Sequence, residues 1–366
     1  MMPTTQRRER GFALLLVIIL SLVLLPFAVE FSMQVSLETR TAINVTDQLK
    51  IENAIDGQYE IMLAHLRYDV IENDIDSWED VWNKEELVSR TEEDVGVALT
   101  THIFDEQGKF NIRTLAEGPT ERQMLARKRL KQLLMEFRRD TDYELGTGEA
   151  DSWGRAIAEW VGKGAARGNV PTPRMADGRT VLVLEELLML PAVSGERFDT
   201  LLYDRREGDR SAPGLHRYLT VYGTGKLNLN TCDGALLRAY FPENPDVAER
   251  IIDRRETPAE DAEGDTSSSD STEGTGNPYT NVMEVAQIEG IGPDVLQANG
   301  VDLALDFDVL SNVFSFRIVG ETDTTRRDEL FAVERVPGAS EEEPMEGFRL
   351  LLRQERIDIL ENLDEE

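Results

Sequence analysis

The sequence predicts an α+β fold in which one long N-terminal helix packs on an antiparallel β-sheet that is interrupted by a large α-helical insertion. Three observations lead to this prediction. An apolar run opens the chain and passes into an amphipathic helical pattern. Segments rich in β-forming residues lie near residue 100 and again after residue 306. Between them, over about residues 115–305, the apolar residues have helical spacing.

The first element is an uncharged run from Phe12 to Val29, which follows a leader, residues 1–11, that ends in the basic sequence RRERG. With Glu30 and Phe31 it spans residues 12–31, enough for a short membrane-spanning helix. A secretory signal peptide would have a shorter apolar core followed by small residues at a cleavage site, and no Ala-x-Ala follows here. The arginines precede the run and acids follow it, which predicts a cytoplasmic N-terminus and an exported body. An ordinary single-pass anchor is the alternative interpretation.

The helical pattern continues beyond the membrane segment. Apolar residues recur every three or four positions, first at Ala42, Val45 and Leu49, and then at Ile55, Tyr59, Met62 and Leu66. This spacing predicts one face that packs on the chain's own domain, within a helix of nearly sixty residues, about 85 Å long. Pro26 is expected to kink this helix, which membrane helices tolerate.

Other apolar residues of this region fall off that face: Phe31, Met33, Val35, Leu37, Ile43 and Ile51. Together they present more apolar surface than one sheet can cover. We therefore predict that the positions nearest the membrane, Phe31, Val35 and Ile43, face partner proteins.

The strand patterns predict a sheet built from both ends of the exported body. Residues 97–104 are rich in β-formers, residues 105–108 form a turn, and residues 109–112 are expected to return as the second strand of a hairpin. The outer part of the long helix and these first strands together make up one predicted region over residues 32–114. After the insertion, a C-terminal region over 306–358 alternates apolar and polar residues in three further strands, at 313–320, 330–336 and 348–357. An acidic loop at 341–346 separates the last two strands, and an acidic tail over 359–366 is expected to be solvated.

The insertion is predicted to be helical with its own apolar core. Helical spacing recurs over residues 121–138, 152–161, 181–202 and 236–255. Asp151 is a candidate N-cap, residues 217–222 are a candidate strand, and prolines split the last helical segment into two. Residues 256–278 lack large apolar side chains, which predicts a disordered acidic loop.

A helix-hairpin-helix is predicted around Gly290-Ile291-Gly292. In other proteins such glycines let helix N-terminal amides approach a DNA phosphate. Here Glu289 and Asp294 flank the turn, and the sequence has no Lys or Arg between Asn277 and Ser311. The turn is therefore interpreted as a packing hairpin, and nucleic acid is not an expected partner.

Composition excludes several classes of function. The formal net charge is −31, and phosphate binding requires clustered Lys and Arg. Cys232 is the single cysteine, and the three histidines are dispersed along the chain, so no metal-ligand spacing is present. The sequence contains no nucleophile elbow, phosphate loop or zinc motif. We therefore expect a protein that is not an enzyme and that needs no cofactor and no metal.

Several motifs of the chain resemble those of one known family. The junction Arg10-Gly11-Phe12 resembles a prepilin peptidase site, cut after Gly11 to leave Phe12 as the first residue. Most pilins and pseudopilins have a glutamate at the fifth mature position, where this chain has Leu16. The lack of this glutamate resembles the minor pseudopilin K family of type II secretion systems. Four internal segments extend the resemblance over most of the chain: FDEQGKFNIRTL, RAIAEWVGKG, GKLNLNT and the helix pair VLVLEELLMLPAVSGERFDTLL.

The resemblance implies a pilin-like fold and a subunit that caps the tip of the pseudopilus and helps initiate its assembly for export of folded proteins across the outer membrane. It implies a single-pass protein of the inner membrane with a periplasmic body. Its implied partners are the I-type and J-type minor pseudopilins, prepilin peptidase and the inner-membrane secretion platform. Some family members bind calcium in an acidic loop, but the matching residues 162–169 are basic here, so no metal is assigned. In GKLNLNT, Asn228, Asn230 and Thr231 are expected to cap the following helix.

Two alternatives remain open from the sequence. One is a minor pilin of a type IV or competence pilus, which would have the same leader and fold. The other is a membrane-anchored periplasmic helix-hairpin-helix module, such as a receptor for DNA uptake.

Overall fold

The computed structural model describes residues 6–83, 89–92, 96–162, 183–193, 195, 197–207, 210–257, 276–340 and 343–355. Three segments with sequence-based predictions lie wholly or mostly outside these residues: the acidic loop 256–278, the segment 162–169 matched to the calcium loop, and the tail 359–366.

The fold starts with a single long helix, α1, which runs from Gln6 to Glu72. Its 67 residues correspond to about 100 Å. The helix passes through Pro26 and Gly57 and is longer than predicted, because it already includes part of the leader.

Strands lie on both sides of the insertion and within it. In chain order they are β1 Ser89–Glu92, β2 Val97–Asp105, β3 Phe110–Asn111, β4 Arg205–Glu207, β5 Arg210–Ala212, β6 Leu219–Thr220, β7 Leu227–Asn228, β8 Phe307–Asp308, β9 Val313–Glu321, β10 Arg326–Ser340 and β11 Glu343–Glu355. The main sheet is antiparallel with the order β1-β2-β9-β10-β11. The C-terminal strands therefore complete the sheet begun before the insertion, as predicted, and the loop predicted at 341–346 is largely part of β11.

Helix α1 packs on this sheet only through its C-terminal part, from Ile51 onward. Its buried residues Ile51, Ile55, Met62 and Leu66 share a core with Phe316, Phe331 and other apolar residues of the sheet. The two layers approach closely at Gly320, where a Cβ would lie 2.6 Å from Ile51 Cγ2. Glycine is therefore required at this position, because any larger residue would push the helix away from the sheet.

The hairpin predicted over residues 97–112 is wrong. β2 pairs with β1 and β9, whereas β3 pairs in parallel with β6 of the insertion. A 3₁₀ turn, Glu106–Gly108, separates them, and its N-cap Asp105 accepts a hydrogen bond from the Gln107 amide. Phe110 is buried in the core of the insertion, and this burial favours pairing of β3 with β6 over a return of the chain alongside β2.

The insertion contains short helices around a second, larger apolar core. The α-helices are α2 Thr120–Glu136, α3 Thr147–Gly162, α4 Asp199–Leu202, α5 Gly234–Tyr240, α6 Pro245–Glu256, α7 Pro293–Asn299 and α8 Leu303–Asp306. Four of the 3₁₀ helices are Ile112–Leu115, Leu184–Met189, Leu215–Arg217 and Val282–Gln287. The core extends to Val313 and Ala332 of the main sheet, so the insertion and the sheet share apolar contacts.

Several local predictions within the insertion need correction. Asp151 lies inside α3, which begins four residues earlier, so it is not the N-cap. The helix pair predicted over 181–202 consists of a 3₁₀ helix and the single-turn α4, and the strand predicted over 217–222 is reduced to β6. The first arm of the helix-hairpin-helix is likewise a 3₁₀ helix, Val282–Gln287, because the capping box at Asn281 and the left-handed Gly290 leave room for only a short element.

Candidate assembly surface

The first half of α1 has an exposed surface that no other described part of the chain covers. Every described side chain from Phe12 to Thr46 is exposed, and the first fully buried one is Ile51. The sheet reaches the helix at Asp47, where the hydroxyl of Thr324 in the β9–β10 turn donates to the carboxylate at 2.6 Å. We call residues 12–46 the stalk. It extends roughly 50 Å beyond the sheet.

The composition of the stalk indicates its surroundings. It lies in the one helix of the described residues that is long and apolar enough to cross a membrane. Gly11 lies within α1, directly before the exposed Phe12, and Leu16 is 53% exposed. So much bare apolar surface is stable only against lipid or other apolar helices.

The three positions predicted to face partners all lie on the stalk. Phe31 is 70% exposed, and Val35 and Ile43 are 43% and 47% exposed. The chain therefore leaves them available for contact, and their binding of a partner stays a prediction. The apolar residues from Phe31 to Ile43 continue the exposed apolar surface of the segment that is long and apolar enough to cross a membrane.

The predicted core-facing side of α1 is wrong for its membrane-proximal part. Val45 and Leu49 are about half exposed, whereas Ile51, expected to lie off the core face, is fully buried. The sheet begins to cover the helix only at Asp47, which leaves Val45 exposed. Leu49 lies two positions past Asp47 and therefore about 200° around the helix from it, on the side away from the sheet. Helical spacing alone does not show where a partner layer begins.

A buried polar network connects α1, the sheet and the insertion near the point where the chain leaves β2 and returns to β9. We call it the junction cluster. Its members are Asp69, Asp76, Asp80, Asp105, Asn228, Thr231, Ser311 and Arg335, each of them buried.

Asp105 is the part of the junction cluster that binds the insertion. One carboxylate oxygen accepts hydrogen bonds from Asn228 Nδ2 at 3.1 Å and Thr231 Oγ1 at 2.5 Å. The same oxygen accepts from Ser311 Oγ at 2.6 Å. These three donors come from two separate segments of the chain, so Asp105 joins β2 to the insertion and to the residues that precede β9. Because the carboxylate is removed from water, these hydrogen bonds are needed to offset its desolvation.

Arg335 is the part of the junction cluster that binds α1 and the segment after it. Its Nη1 donates to both carboxylate oxygens of Asp76 at 2.8 Å, and its Nη2 donates to Asp69 at 3.1 Å. The guanidinium also lies 4.6 Å from the centroid of the Phe314 ring. Asp76 in turn accepts from the Ser311 amide at 2.6 Å, so one carboxylate connects β10 with the residues that precede β9.

The junction cluster contains more acids than bases. Burial raises the pKa of Asp76 to about 7, although Arg335 opposes this shift. Burial likewise raises the pKa of Asp105 to about 6 and raises the pKa values of Asp69 and Asp80. Oxygens of Asp69, Asp76 and Asp80 lie within 4.8 Å of one another, a spacing that could hold a cation. Arg335 already donates to two of these three carboxylates, so a cation of the protein itself partly neutralises them.

The segment GKLNLNT bonds backbone groups, but it does not cap the following helix as expected. Asn228, Asn230 and Thr231 do not cap the following helix; the N-cap of α5 is Asp233, which accepts from the Ala235 amide. Asn228 instead donates to Asp105 and Ser311, and Asn230 exchanges two hydrogen bonds with the backbone of Tyr279.

Sequence reasoning also missed Arg335, for which a signal was present. Residues that alternate along a strand share one face, and Arg335 shares the face of Phe331 and Val333. Both of those side chains are buried in the core between the helix and the sheet. An arginine at the next core-facing position predicts buried carboxylate partners, because an unpaired buried guanidinium is costly.

We expect Arg335→Met to be strongly destabilising. It would remove the cation that the buried carboxylates share, at a cost of about 3–5 kcal/mol in the free energy of unfolding. Chemical denaturation of the full chain in detergent micelles at neutral pH would measure this loss. The control is Arg349→Met, which breaks an exposed ion pair with Glu334 and is expected to cost less than about 1 kcal/mol. Equal losses in the two variants would show that the junction cluster does not depend on this charge.

The glycine turn of the hairpin is contacted by another helix of the insertion, although Gly290 itself is exposed. Arg250 of α6 donates to the Glu289 carbonyl, and a Cβ at Gly290 would collide with the Arg250 guanidinium. The positive φ of 81° at Gly290 is a reason for glycine there that involves no ligand, whereas the Arg250 side chain could move aside.

Comparisons with known proteins support the fold. No protein-family model matches the chain, and no curated protein matches it. Among solved structures, it is similar to a chain in the crystal structure of the GspK-GspI-GspJ complex from the type 2 secretion system of enterotoxigenic Escherichia coli. The TM-score is 0.52 at 15% sequence identity, and the match covers 87% of this chain and 99% of the other. The predicted fold is thereby confirmed, and so is the resemblance to minor pseudopilin K at the level of the fold.

Proposed function

We propose that this chain is a minor pseudopilin that caps the tip of a type II secretion pseudopilus and helps initiate its assembly for the export of folded proteins across the outer membrane. The observation that carries the proposal is the stalk, a bare apolar helix that starts at Phe12 and ends in a large folded body. Such a helix needs a membrane before assembly and apolar helices of other subunits after it.

The proposal includes a topology. Prepilin peptidase removes residues 1–11 on the cytoplasmic side, the helix spans the inner membrane once, and the body lies in the periplasm. The basic leader and the acids at Glu30 and Glu38 support this orientation. The inner-membrane secretion platform then extracts the processed subunit into the filament.

The position of the insertion supports a place at the tip. The junction cluster connects the insertion to Asp69, close to the end of α1 that lies farthest from the membrane. An insertion of this size at this end of α1 would block the addition of another subunit on the side away from the membrane. It would leave the stalk free to contact subunits on the membrane side.

The residue at the fifth mature position agrees with this place. A glutamate in lipid needs a partner, which in a filament is the N-terminal amine of the subunit above. Leu16 is exposed and apolar, so the protein carries no carboxylate there that would need such an amine. A subunit with nothing above it loses no interaction by this change.

The proposed partners follow from the neighbouring structure, which contains three minor pseudopilins. By analogy, an I-type and a J-type minor pseudopilin would bind this chain along the outer stalk, at Phe31, Val35 and Ile43. The role is structural and requires no catalytic group.

Substitution at Leu16 tests the tip position. We expect gold labelling of wild-type filaments at one end only. Leu16→Glu should keep this pattern and lower assembly, because an unpaired carboxylate in the membrane costs about 2–3 kcal/mol. Leu20→Glu is the matched control, since Leu20 is 54% exposed one turn further along the same helix. Label along the whole filament in both the wild type and Leu16→Glu would contradict the tip position.

The alternative of a DNA receptor has less support. The glycine turn of the hairpin carries acids on both sides and is contacted by Arg250, which is itself paired with Asp246. We therefore expect that the soluble fragment 34–366 does not shift duplex DNA in an electrophoretic mobility assay. A minor pilin of a type IV or competence pilus would have the same stalk, and co-purified partners would distinguish it.

A further inference from the structure

The charge balance of the junction cluster is unusual for a buried site. Asp69 of α1, Asp76 and Asp80 of the following segment and Asp105 of β2 all lie in it, and Arg335 of β10 is the single cation among its members. The groups that the insertion and the residues before β9 contribute, Asn228, Thr231 and Ser311, are neutral. Four ionised carboxylates with one guanidinium would leave three uncompensated negative charges away from water, which is costly.

Geometry indicates how this charge is reduced. Carboxyl oxygens of Asp69 and Asp76 lie within 4.8 Å of each other, and Arg335 donates to both groups. Two carboxylates have only acceptors, so a hydrogen bond between them requires a proton on one of the two. Asn73 Nδ2 lies between Asp69 and Asp80, at 3.5 Å and 3.3 Å, and is the neutral donor that separates these two acids.

We propose that the junction cluster takes up one proton, shared between Asp69 and Asp76, and that this proton locks the insertion onto α1 and the sheet. The proton stabilises the attachment of the insertion below neutral pH, and this stabilisation is lost as the pH rises to neutrality. It acts through Asp76, because this residue contacts every side of the junction. Its side chain binds Arg335 and the Ser311 amide, its amide donates to Val309 O at 2.8 Å, and its carbonyl accepts from Asn228 Nδ2 at 3.1 Å.

The direction of the pH dependence follows from burial. Desolvation raises the pKa of Asp76 from 3.8 to about 7, so the folded state holds this proton more tightly than the unfolded chain does. The resulting stabilisation is complete below the unfolded pKa and is lost progressively as the pH rises to about 7. This behaviour is opposite to that of a salt-bridged carboxylate with a lowered pKa, which loses stability as the pH falls.

The first test is the melting temperature of the full chain in detergent micelles, measured between about pH 5.5 and about pH 7.5. One linked proton should lower the melting temperature by about 2–4 °C per pH unit in this range. Asp69→Asn should flatten the slope, because its amide donates permanently where the proton would lie. The control is Asp74→Asn, an exposed acid in the segment that follows α1, which should keep the wild-type slope. A flat wild-type slope, or equal slopes in Asp69→Asn and wild type, would overturn the proposal.

The second test is local and uses the wild-type chain alone, so it holds even if a variant fails to fold. Amide hydrogen exchange, corrected for the intrinsic pH dependence, should show protection at Asp76 and Ser311 falling up to about tenfold per pH unit towards neutrality. Amides that pair β9 with β10, such as those around Phe316 and Phe331, should keep their protection. Uniform loss across both groups, or no loss at the junction, would overturn the proposal.

A third measurement separates a proton from a metal cation. Calcium added at about pH 5.5, where the proton is bound, should leave the melting temperature unchanged, because Arg335 and the shared proton already supply the positive charge. A rise on adding calcium that Asp69→Asn abolishes would show that a cation, and not a proton, completes the junction cluster. The proposal concerns the body of the protein and is independent of its assembly into a filament.

Discussion

Replacing Gly11 with valine is expected to leave the eleven-residue leader attached to the protein. The peptide bond after Gly11 joins the basic leader directly to the exposed apolar stalk, and a β-branched side chain before that bond would obstruct a peptidase that accepts glycine. Membrane insertion should persist, since the apolar run from Phe12 to Val29 is unchanged. Intact-mass measurement and N-terminal sequencing of the purified chain would show the retained leader.

The matched control for this experiment is valine at Gly57. Both glycines lie within α1, and a Cβ at Gly57 would meet nothing within 4 Å. Gly57→Val should therefore be processed like the wild type, with Phe12 as the N-terminal residue. Wild-type protein that begins at Met1 or near residue 30 would contradict the prediction of a prepilin leader.

The second prediction with a large expected effect concerns the outer stalk. Phe31→Asp and Val35→Asp are each expected to abolish co-purification with the I-type and J-type minor pseudopilins from the same genome. A carboxylate placed in a desolvated apolar interface loses its hydration without gaining a partner, which costs several kcal/mol, on the order of the binding energy of a whole micromolar complex. Pull-down from membranes that contain all three subunits would measure the loss.

The control for the stalk substitutions lies on the same helix. Ile71 is 69% exposed, almost the same as Phe31, but it is about 60 Å away at the far end of α1. Ile71→Asp should retain both partners, and circular dichroism should show that all three variants are folded. If Ile71→Asp loses the partners while Phe31→Asp and Val35→Asp keep them, the interface lies at the far end of the helix and the proposed tip model is wrong.

The two kinds of prediction depend on different parts of the molecule. The stalk is predicted to act through exposed apolar residues that the chain itself leaves bare. The junction cluster acts through buried polar residues that hold the insertion in position. Arg335→Met should therefore lower stability without altering the stalk, whereas Phe31→Asp should alter partner binding without lowering stability.

Much of the architecture could be predicted from the sequence, because the relevant signals are local. An uncharged run of eighteen residues from Phe12 to Val29 predicts a membrane helix by length and composition alone. Alternating residues after position 313 predict the C-terminal strands, and prolines mark the boundary between α5 and α6. The motifs around Gly11 and in GKLNLNT indicated a fold that the comparison with a solved structure confirmed.

Other features were decided only by the tertiary structure, because they depend on residues far apart in the chain. Which face of α1 meets the sheet is set by where the β9–β10 turn reaches Asp47, and helical spacing cannot show this. β3 pairs with β6 instead of β2 because Phe110 is buried in a core whose other members come mostly from later in the sequence. The ion pair between Asp76 and Arg335 spans 259 residues, so neither partner is apparent from its own neighbourhood. Hydropathy and periodicity determined the stalk and the strands of this protein, whereas long-range burial of charge determined how its insertion is held.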